Sequence, residues 1–386
     1  MPGALGPSLT EAVVSEILRD AHRYVPGVQP HRPTLDGARR TGLGRLVHAG
    51  HRGRDLVERV AGRAGFTRRH HDPELGAAAL LRTISLSDGL ERTAQSLGND
   101  ASRRALIDVL KMRVLGPYHA PLAITADRYR ALQGCVDRTM RRQSATFEVA
   151  DPWFPSLSRY ELPIGGGATI ALHAHSIDVV NVFLLRQYRY QCGDQRVVAE
   201  PGDVVLDVGG CLGDSALYFA SLVGPSGRIY TFEFDPENLE VMRANLALNP
   251  ELAKRIEIVE EALWDRSGES LEFVPGGRVT ALTTERQGST HTATTITLDD
   301  FVQQVGLARL DFVKMDVEGA ELRVLAGARE ALDRHAPKLA VAAYHRDDDL
   351  VLIPDAIAAA GQGYRCFLES FSPLEDETVL FARVPG

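Results

Sequence analysis

Cysteine is scarce in this chain, with four residues among 386. Cys135, Cys192, Cys211 and Cys366 lie far apart and form no Cys-x-x-Cys pair. Structural zinc sites and disulfide frameworks both depend on cysteines at characteristic spacings, so the sequence indicates neither. Unpaired cysteines suit a reducing compartment, and we expect a cytoplasmic protein.

Long apolar runs and net positive charge are also lacking. No uninterrupted apolar stretch approaches the ~20 residues of a membrane span, and charged residues at positions 11, 16, 19 and 20 interrupt any signal-peptide core. The formal net charge of -8 gives no electrostatic reason to expect nucleic acid. Arginines do crowd residues 39–69, and we interpret them as solvated helix faces. We therefore expect neither a membrane nor a nucleic acid as a partner.

The length of the chain favours two domains. At 386 residues it exceeds the roughly 250 to 300 residues at which single hydrophobic cores stop growing. Residues 1–150 are mostly helical in pattern, with Ala, Leu and Arg at helical spacing over 74–90 and 101–115. Residues 151–386 show strand patterns that alternate with helix patterns, and they form the second expected domain.

The second domain has the pattern of a doubly wound α/β sheet. A hairpin across residues 165–167 and a helix over 177–190 are expected first. Strands are then predicted at 203–208, 228–234, 255–260, 310–316 and 338–344, and helices near 213–223, 236–247 and 318–333. Residues 269–297 interrupt this order as a short hairpin insertion, and 364–370 pairs with 377–384 as antiparallel edge strands. Ligands of such sheets lie outside the carboxyl ends of the strands.

A glycine-rich turn follows the first strand of this sheet. The apolar run over 204–208 is typical of a central parallel strand covered on both faces. Gly209, Gly210 and Gly213 come next and let the backbone approach a ligand without a Cβ in the way. Asp207 stands at the carboxyl end of the strand. This layout predicts a site for a nucleotide-type cofactor.

The spacing around the turn distinguishes between cofactors. A dinucleotide fingerprint is Gly-x-Gly-x-x-Gly, and its first glycine falls on Val208, which cannot make the tight turn around a pyrophosphate. Glu233 ends the next strand, 20 positions after Gly213, about where an acidic residue takes ribose hydroxyls. A nucleoside without a pyrophosphate therefore fits better than NAD.

Together these residues resemble the FkbM-type family of class I S-adenosylmethionine-dependent methyltransferases. The resemblance is carried by three segments: Asp207–Asp214, Tyr230–Asn238 with Asn245, and Asp311–Glu321. It continues through Tyr344-His345, Asp349-Leu350 and Glu377–Leu380, and it covers about residues 150–384 with a fainter likeness around 106–121. Phe234 departs from the family pattern, which usually has proline there, and this puts the local loop shape in doubt. The resemblance implies a Rossmann-like sheet with an antiparallel edge strand.

The resemblance also implies how the cofactor, S-adenosyl-L-methionine, would be held and released as S-adenosyl-L-homocysteine. Glu233 would bind the ribose diol, with Phe234 beside it, while Glu261 and Ala262 would lie at the adenine. The turn glycines, Gly209, Gly210 and Gly213, would pass close to the methionine moiety. Asp207 would accept a hydrogen bond from the cofactor's amino group, or would only complement the dipole of the following helix.

Two residues are candidates for catalysis. Asp316 ends the fourth strand, where the resemblance places the methionine end of the cofactor near the acceptor. His345 follows the fifth strand, and because the unperturbed pKa of histidine is ~6.5 we interpret it as the general base for a hydroxyl. Lys314 alternates to the face of Asp316 and is expected to form a structural ion pair.

A metal site is not expected. Glu318 and Glu321 stand at the start of a helix, where the helix dipole favours acids without any ligand. Asp316 and Glu318 alone are too few ligands for a divalent cation.

The preferred function is O-methylation of a hydroxyl on a small molecule or sugar, as in tailoring of specialised metabolites or glycans. N-methylation of a small molecule is an alternative, because the same cofactor site serves another nucleophile. A nicotinamide oxidoreductase is disfavoured by Val208. In a third alternative the chain binds a cofactor or partner without catalysis, through its arginine-rich region. The N-terminal region is expected to cover the acceptor or to form a homodimer contact.

Overall fold

The structure, a computed structural model, describes residues 9, 13, 15, 16, 73–117, 120–149, 155–165, 168–283 and 291–385. The arginine-rich stretch 39–69 lies outside these residues. The chain divides into two compact units: residues 1–91 with 107–122, and residues 92–106 with 123–386. This division does not coincide with the boundary expected after residue 150. The chain enters the second unit at residue 92, returns to the first at residue 107 and enters the second again at residue 123.

The first elements are helical, as the periodicity predicts. They are α1 (Pro73–Ser85), α2 (Ser87–Ser96), α3 (Asp100–Leu115) and α4 (Ala126–Thr139). Thr125 caps α4, because its side chain accepts a hydrogen bond from the Arg128 N–H. Within the described parts of the chain, no helix has both the length and the apolar character to cross a bilayer.

A three-stranded antiparallel sheet follows, formed by β1 (Arg141–Glu148), β2 (Ser156–Gly165) and β3 (Ala168–Ala174). Its β2–β3 pair is the hairpin that the sequence predicts. The helix expected over 177–190 is shorter than predicted: α5 (Ser176–Asp178) continues as one π-helical stretch, Val179–Leu185. It ends because Arg186 adopts a left-handed backbone with φ 57° and returns its N–H to the Asn181 carbonyl. The chain then forms the small hairpin of β4 (Tyr190–Cys192) and β5 (Gln195–Val197).

The main sheet has seven strands, and its order is β15-β16-β14-β13-β6-β7-β8. The strands are β6 (Val204–Val208), β7 (Arg228–Phe232), β8 (Ile256–Val259), β13 (Phe312–Met315), β14 (Lys338–Ala342), β15 (Arg365–Ser370) and β16 (Thr378–Arg383). All neighbours run parallel except at β16, which is antiparallel to both β14 and β15. The antiparallel strand therefore lies one place inside the edge, which β15 occupies. Four of the five residues of β6 and all of β13 are buried, as helices on both faces require.

The insertion after β8 forms a second, smaller sheet in the order β11-β10-β12-β9. Its strands are β9 (Ala262–Leu263), β10 (Ser270–Phe273), β11 (Leu282–Thr283) and β12 (His291–Ile296). The expected hairpin is present as the antiparallel β10–β12 pair, and a 3-10 turn, Gly277–Val279, lies within the insertion.

The helices that follow β6 are α6 (Asp214–Val223), α7 (Pro236–Ala247), α8 (Pro250–Ala253), α9 (Leu298–Val305), α10 (Glu321–Ala326), α11 (Arg329–His335) and α12 (Asp349–Ala358). Asp235 caps α7 through the Glu237 N–H, with Pro236 at the first helical position. The helix predicted over 318–333 is divided into α10 and α11. The division lies at Gly327, where a Cβ would come within 2.3 Å of the Trp264 carbonyl oxygen.

The strand order reverses between β6 and β13, which are direct neighbours although six strands lie between them in the chain. Hydrogen bonds join the strand ends there. Gly209 and Gly210 donate their N–H groups to the Phe232 carbonyl at the end of β7, and Asp316 donates its N–H to the Val208 carbonyl at the end of β6. A Cβ on Gly209 would lie 2.0 Å from the Asp316 carbonyl oxygen, so only glycine fits this approach. Crevices at such reversals are where ligands of α/β sheets bind.

Gly210→Ala is expected to destabilise the second unit by about 1–3 kcal/mol, the usual cost of overpacking. Its Cβ would lie 2.0 Å from the Thr231 hydroxyl, which is fixed because it donates to Asp207. The free energy of unfolding from urea denaturation tests this. Gly134→Ala in α4 is the control, since its Cβ meets only the flexible end of Arg138. Equal stability of the two variants would refute the packing argument.

Candidate functional site

A buried ion pair stands behind the glycine turn. The Lys314 ammonium lies 3.3 Å from Asp207 Oδ1, and both side chains are at most 2% exposed. Asp207 also accepts hydrogen bonds from the hydroxyls of Ser215 and Thr231, and Lys314 donates to the carbonyls of Val208 and Gly209. Burial lowers the pKa of Lys314, but neighbouring carboxylates, led by Asp207, outweigh that effect and raise its pKa.

This pair revises two expectations. Asp207 is fully buried and held by protein donors, so in this structure it supports the turn and makes no approach to the cavity. Lys314 has the structural ion pair that strand alternation predicts, but its partner within hydrogen-bonding range is Asp207 and not Asp316.

A cavity of about 570 Å³, open to solvent, lies at the carboxyl ends of β6, β7 and β13. Its lining includes Val208, Gly209, Cys211, Glu233, Phe234, Asn238, Glu261, Ala262, Leu263, Arg278, Asp316, Val317 and Glu318. Six of the expected site residues, namely Gly209, Glu233, Phe234, Glu261, Ala262 and Asp316, are thus brought to one space. Gly210 and Gly213 are not among the lining residues, because they pack against Thr231 and Met242.

Glu233 is anchored at the end of β7 with one oxygen left largely available. Its Oε1 accepts the N–H groups of Phe234 and Asp235 at 2.7 and 2.8 Å. Its Oε2 has only the Asn238 amide, at 3.3 Å. Burial raises the pKa of Glu233 to about 7. The carboxyl group is therefore held in a fixed direction and titrates near neutral pH.

The opposite end of the cavity is built on Asp316. Its Oδ2 accepts a hydrogen bond from the Tyr188 hydroxyl at 3.0 Å, and its Oδ1 accepts one from Tyr344 at 3.2 Å. His345 Nε2 lies 3.6 Å from Asp316 Oδ1 and 3.7 Å from Glu318 Oε2. On the other side of the ring, Nδ1 lies 2.9 Å from Glu321 Oε1. The two residues predicted to be catalytic are therefore neighbours.

The environment of His345 differs from the one expected of a general base. Burial alone lowers its pKa, but the carboxylates of Glu318 and Glu321 outweigh burial and hold the pKa well above 6.5. A base needs a free lone pair at neutral pH. The general-base role expected of His345 assumes an unperturbed imidazole, and this environment does not provide one.

The same cluster could hold a metal ion. Among the described residues, donor atoms of Asp316, Glu321 and His345 all lie within 4.8 Å of one another. The sequence alone indicates only Asp316 and Glu318 as possible metal ligands, because the contact of His345 with these acids depends on the packing of β14 beside β13.

Further acids lie near Asp316 that the sequence analysis missed. Burial raises the pKa of Glu377 to about 8, and the charge of Asp316 adds to this. Burial likewise raises the pKa of Asp214 to about 7, with Asp178 contributing. Glu377 lies in a segment that carries the family resemblance, which was the available signal.

Arg278 was also missed, since nothing in the sequence of the insertion marks it. Its guanidinium pairs with Asp178 Oδ1 at 3.0 Å and lines the cavity. Asp178 also receives the N–H and Nδ1 of His175.

Comparison with known proteins agrees with the fold described above. Residues 207–366 match the family model described as the methyltransferase FkbM domain. The crystal structure of methyltransferase FkbM from Methylobacillus flagellatus KT superposes with a TM-score of 0.50 at 20% identity, covering 89% of this chain and 72% of that one. At that identity the likeness shows the fold, and it confirms the predicted class I methyltransferase fold.

Two curated relatives match parts of the chain. The 2-O-methyltransferase NoeI of Sinorhizobium fredii (strain NBRC 101917 / NGR234) is 29% identical, over 36% of this chain and 62% of that protein. A protein-L-isoaspartate O-methyltransferase of Methanothrix thermoacetophila is 38% identical, over 22% of this chain and 34% of that protein. The chain thus spans less than two thirds of the length of either relative.

Lys314→Met is expected to lower the free energy of unfolding by about 3–5 kcal/mol, because it leaves Asp207 buried without a countercharge. Urea denaturation measures the loss. Arg228→Met is the matched control: its pair with Glu257 is exposed and is worth at most about 1 kcal/mol. Adding Asp207→Asn to Lys314→Met should restore part of the stability, and a double variant no more stable than Lys314→Met would contradict this account.

Proposed function

The chain carries an FkbM-type methyltransferase domain, and from this premise we propose that it transfers the methyl group of S-adenosylmethionine to a hydroxyl of a small molecule or sugar. One observation carries the proposal. Glu233 and Asp316 end two strands of the sheet and line the same cavity at its point of reversal. This arrangement suits a nucleoside at one end and a reacting centre at the other.

The chemistry of the cavity lining fits the cofactor. Glu233 Oε2 is directed to take a ribose hydroxyl, and Phe234, Ala262 and Leu263 provide apolar walls for an adenine. Glu261 is placed to accept from an exocyclic amine. Gly209 and Asp316 line the part left for the methionine moiety.

The cofactor brings the reactive methyl group, so the residues of the chain position the reactants. Asp316 is itself oriented by two tyrosine hydroxyls. Together with His345 it is proposed to hold the acceptor oxygen in line with the transferred group. The relative from Sinorhizobium fredii is a 2-O-methyltransferase by name, which supports a hydroxyl acceptor.

A specific observation supports N-methylation as the second candidate. Glu377, Asp376 and Asp214 are carboxyls close to the site whose pKa values burial raises to about 8, 6 and 7. A cationic amine would be stabilised among such groups. Mass and NMR analysis of the methylated product distinguishes O- from N-methylation.

The other expectations stay predictions. The arginine-rich region of the non-catalytic alternative lies outside the described residues, as do residues 17–72 of the region expected to cover the acceptor or form a dimer contact. The cytoplasmic location likewise stays a prediction.

Isothermal titration calorimetry tests the cofactor. We expect S-adenosylhomocysteine to bind, and to bind about tenfold more tightly at pH 8 than at pH 6. Glu233 has a pKa of about 7 in the ligand-free protein, and ribose hydroxyls donate to its ionised form, so affinity rises as the carboxyl loses its proton.

Glu233→Gln should weaken binding and remove most of this pH dependence. Glu251→Gln, an exposed position on α8, serves as the control and should retain both. Tight binding of NAD in place of S-adenosylhomocysteine would overturn the proposal in favour of an oxidoreductase.

His345→Ala is expected to lower turnover by about 10²-fold, because the acceptor loses a positioning group, while the affinity for S-adenosylhomocysteine stays within about threefold. The affinity should hold because His345 lies beside Asp316 and Glu318 and away from Glu233. Methyl transfer from labelled cofactor to an accepted hydroxyl compound measures turnover. Unchanged turnover would remove His345 from the catalytic site.

A further inference from the structure

The cluster around His345 is more than a group of acids at a helix start. Its members come from separate elements: Asp316 and Glu318 follow β13, Glu321 begins α10, and His345 follows β14. Three carboxylates thus surround one imidazole ring. The negative charge of these carboxylates favours the binding of a cation.

The imidazole is fixed in one orientation by Glu321. Glu321 is 1% exposed, and its Oε1 accepts both the Val317 N–H at 3.0 Å and His345 Nδ1 at 2.9 Å. With a proton on Nδ1, Nε2 is the nitrogen that can bind a cation, which displaces any proton held there. Carboxylates in this outer position behind a histidine are typical of metal sites.

The outward nitrogen has no partner. His345 is only 8% exposed, and its Nε2 is buried with no hydrogen bond. Asp316 Oδ1 and Glu318 Oε2 lie 3.6 and 3.7 Å away, beyond hydrogen-bonding distance. A buried polar atom left in this state needs a ligand to account for it.

These separations match a shared metal ion. Two ligand atoms that each lie ~2.0–2.2 Å from one ion, at angles between about 109° and 120°, are about 3.3–3.8 Å apart. Both distances from Nε2 fall in that range. The side chains of Asp316 and Glu318 are 16% and 27% exposed, so the site is open toward the cavity for a further ligand.

We propose that His345 and Asp316 bind a divalent first-row transition metal ion, with Glu318 as a further ligand once the ion is bound and Glu321 as the outer carboxylate that orients the imidazole. One nitrogen and two carboxylate oxygens suit Mn²⁺ or Zn²⁺ better than Mg²⁺ or Ca²⁺, which prefer all-oxygen ligands. The open position faces the space assigned to the acceptor, so the ion would hold an acceptor oxygen. That role rests on the proposed function, whereas the site itself does not.

Metal binding is tested on the full chain after treatment with a chelator and dialysis. Mn²⁺ is titrated while electron paramagnetic resonance follows the loss of the free-ion signal, and Zn²⁺ competition is measured next. We expect one Mn²⁺ per chain, displaced by Zn²⁺. His345→Ala and Asp316→Asn should abolish the site, and Glu321→Gln should weaken it by about 10–100-fold.

Glu330→Gln, an exposed acid on α11, is the control and should bind Mn²⁺ as the unaltered protein does. Circular dichroism and urea denaturation establish that each variant is folded. Absence of stoichiometric binding of Mn²⁺ or Zn²⁺, or binding that survives both His345→Ala and Asp316→Asn, overturns the proposal.

Together with the calorimetric titration of S-adenosylhomocysteine, these measurements separate the two proposals. If S-adenosylhomocysteine binds and no metal does, the metal site is refuted and the proposed function stands. If the metal binds and S-adenosylhomocysteine does not, the proposed function fails and the metal site stands.

Discussion

The site depends on the buried pair of Lys314 and Asp207. The ammonium comes from β13, and it bonds the carbonyls at the end of β6, while the carboxylate is held by α6 through Ser215 and by β7 through Thr231. Removing two charges from water is costly and is offset only when hydrogen bonds satisfy both groups. Because this pair is satisfied from four elements, the strand ends that frame the cavity cannot shift independently of one another.

That constraint explains how strained backbone persists at the cavity. Cys211 and Glu318 have φ values of 46° and 51°, and Glu377 has 69°. Left-handed conformations of residues other than glycine cost of order 1–3 kcal/mol and persist where the surrounding structure dictates them. Cys211 lies in the turn that Lys314 holds, and Glu318 follows the strand that carries Lys314. The rigid strand ends thus supply the support, and the loops between them present the polar groups.

The sequence predicts the strands of the main sheet, and six of the residues that it suggests for the site line one cavity, for a physical reason. Buried parallel strands are nearly continuous apolar runs, and the residue that ends each one is placed at the ligand edge without further information, as Glu233 and Asp316 are. Contacts across strands need the register. Lys314 pairs with Asp207 because these residues are direct neighbours in the β13–β6 ladder, which alternation along a single strand cannot reveal. Arg278 could not be predicted, because it lies in an insertion whose folding against Asp178 leaves no pattern.

The arrangement of His345 follows from the same rigidity. A proton on Nε2 can serve one acceptor at short range, yet both neighbouring carboxylate oxygens lie beyond hydrogen-bonding distance. A metal ion between Nε2 and either carboxylate oxygen satisfies both of those atoms at their present separation, because metal bonds of ~2 Å from each side span that gap. Tyr188 and Tyr344 hold Asp316 from behind, as Glu321 holds the imidazole. These side chains are held by other residues while their unbonded atoms converge on one point, which suits a set of metal ligands. A general base would need a ring nitrogen that is free to take a proton.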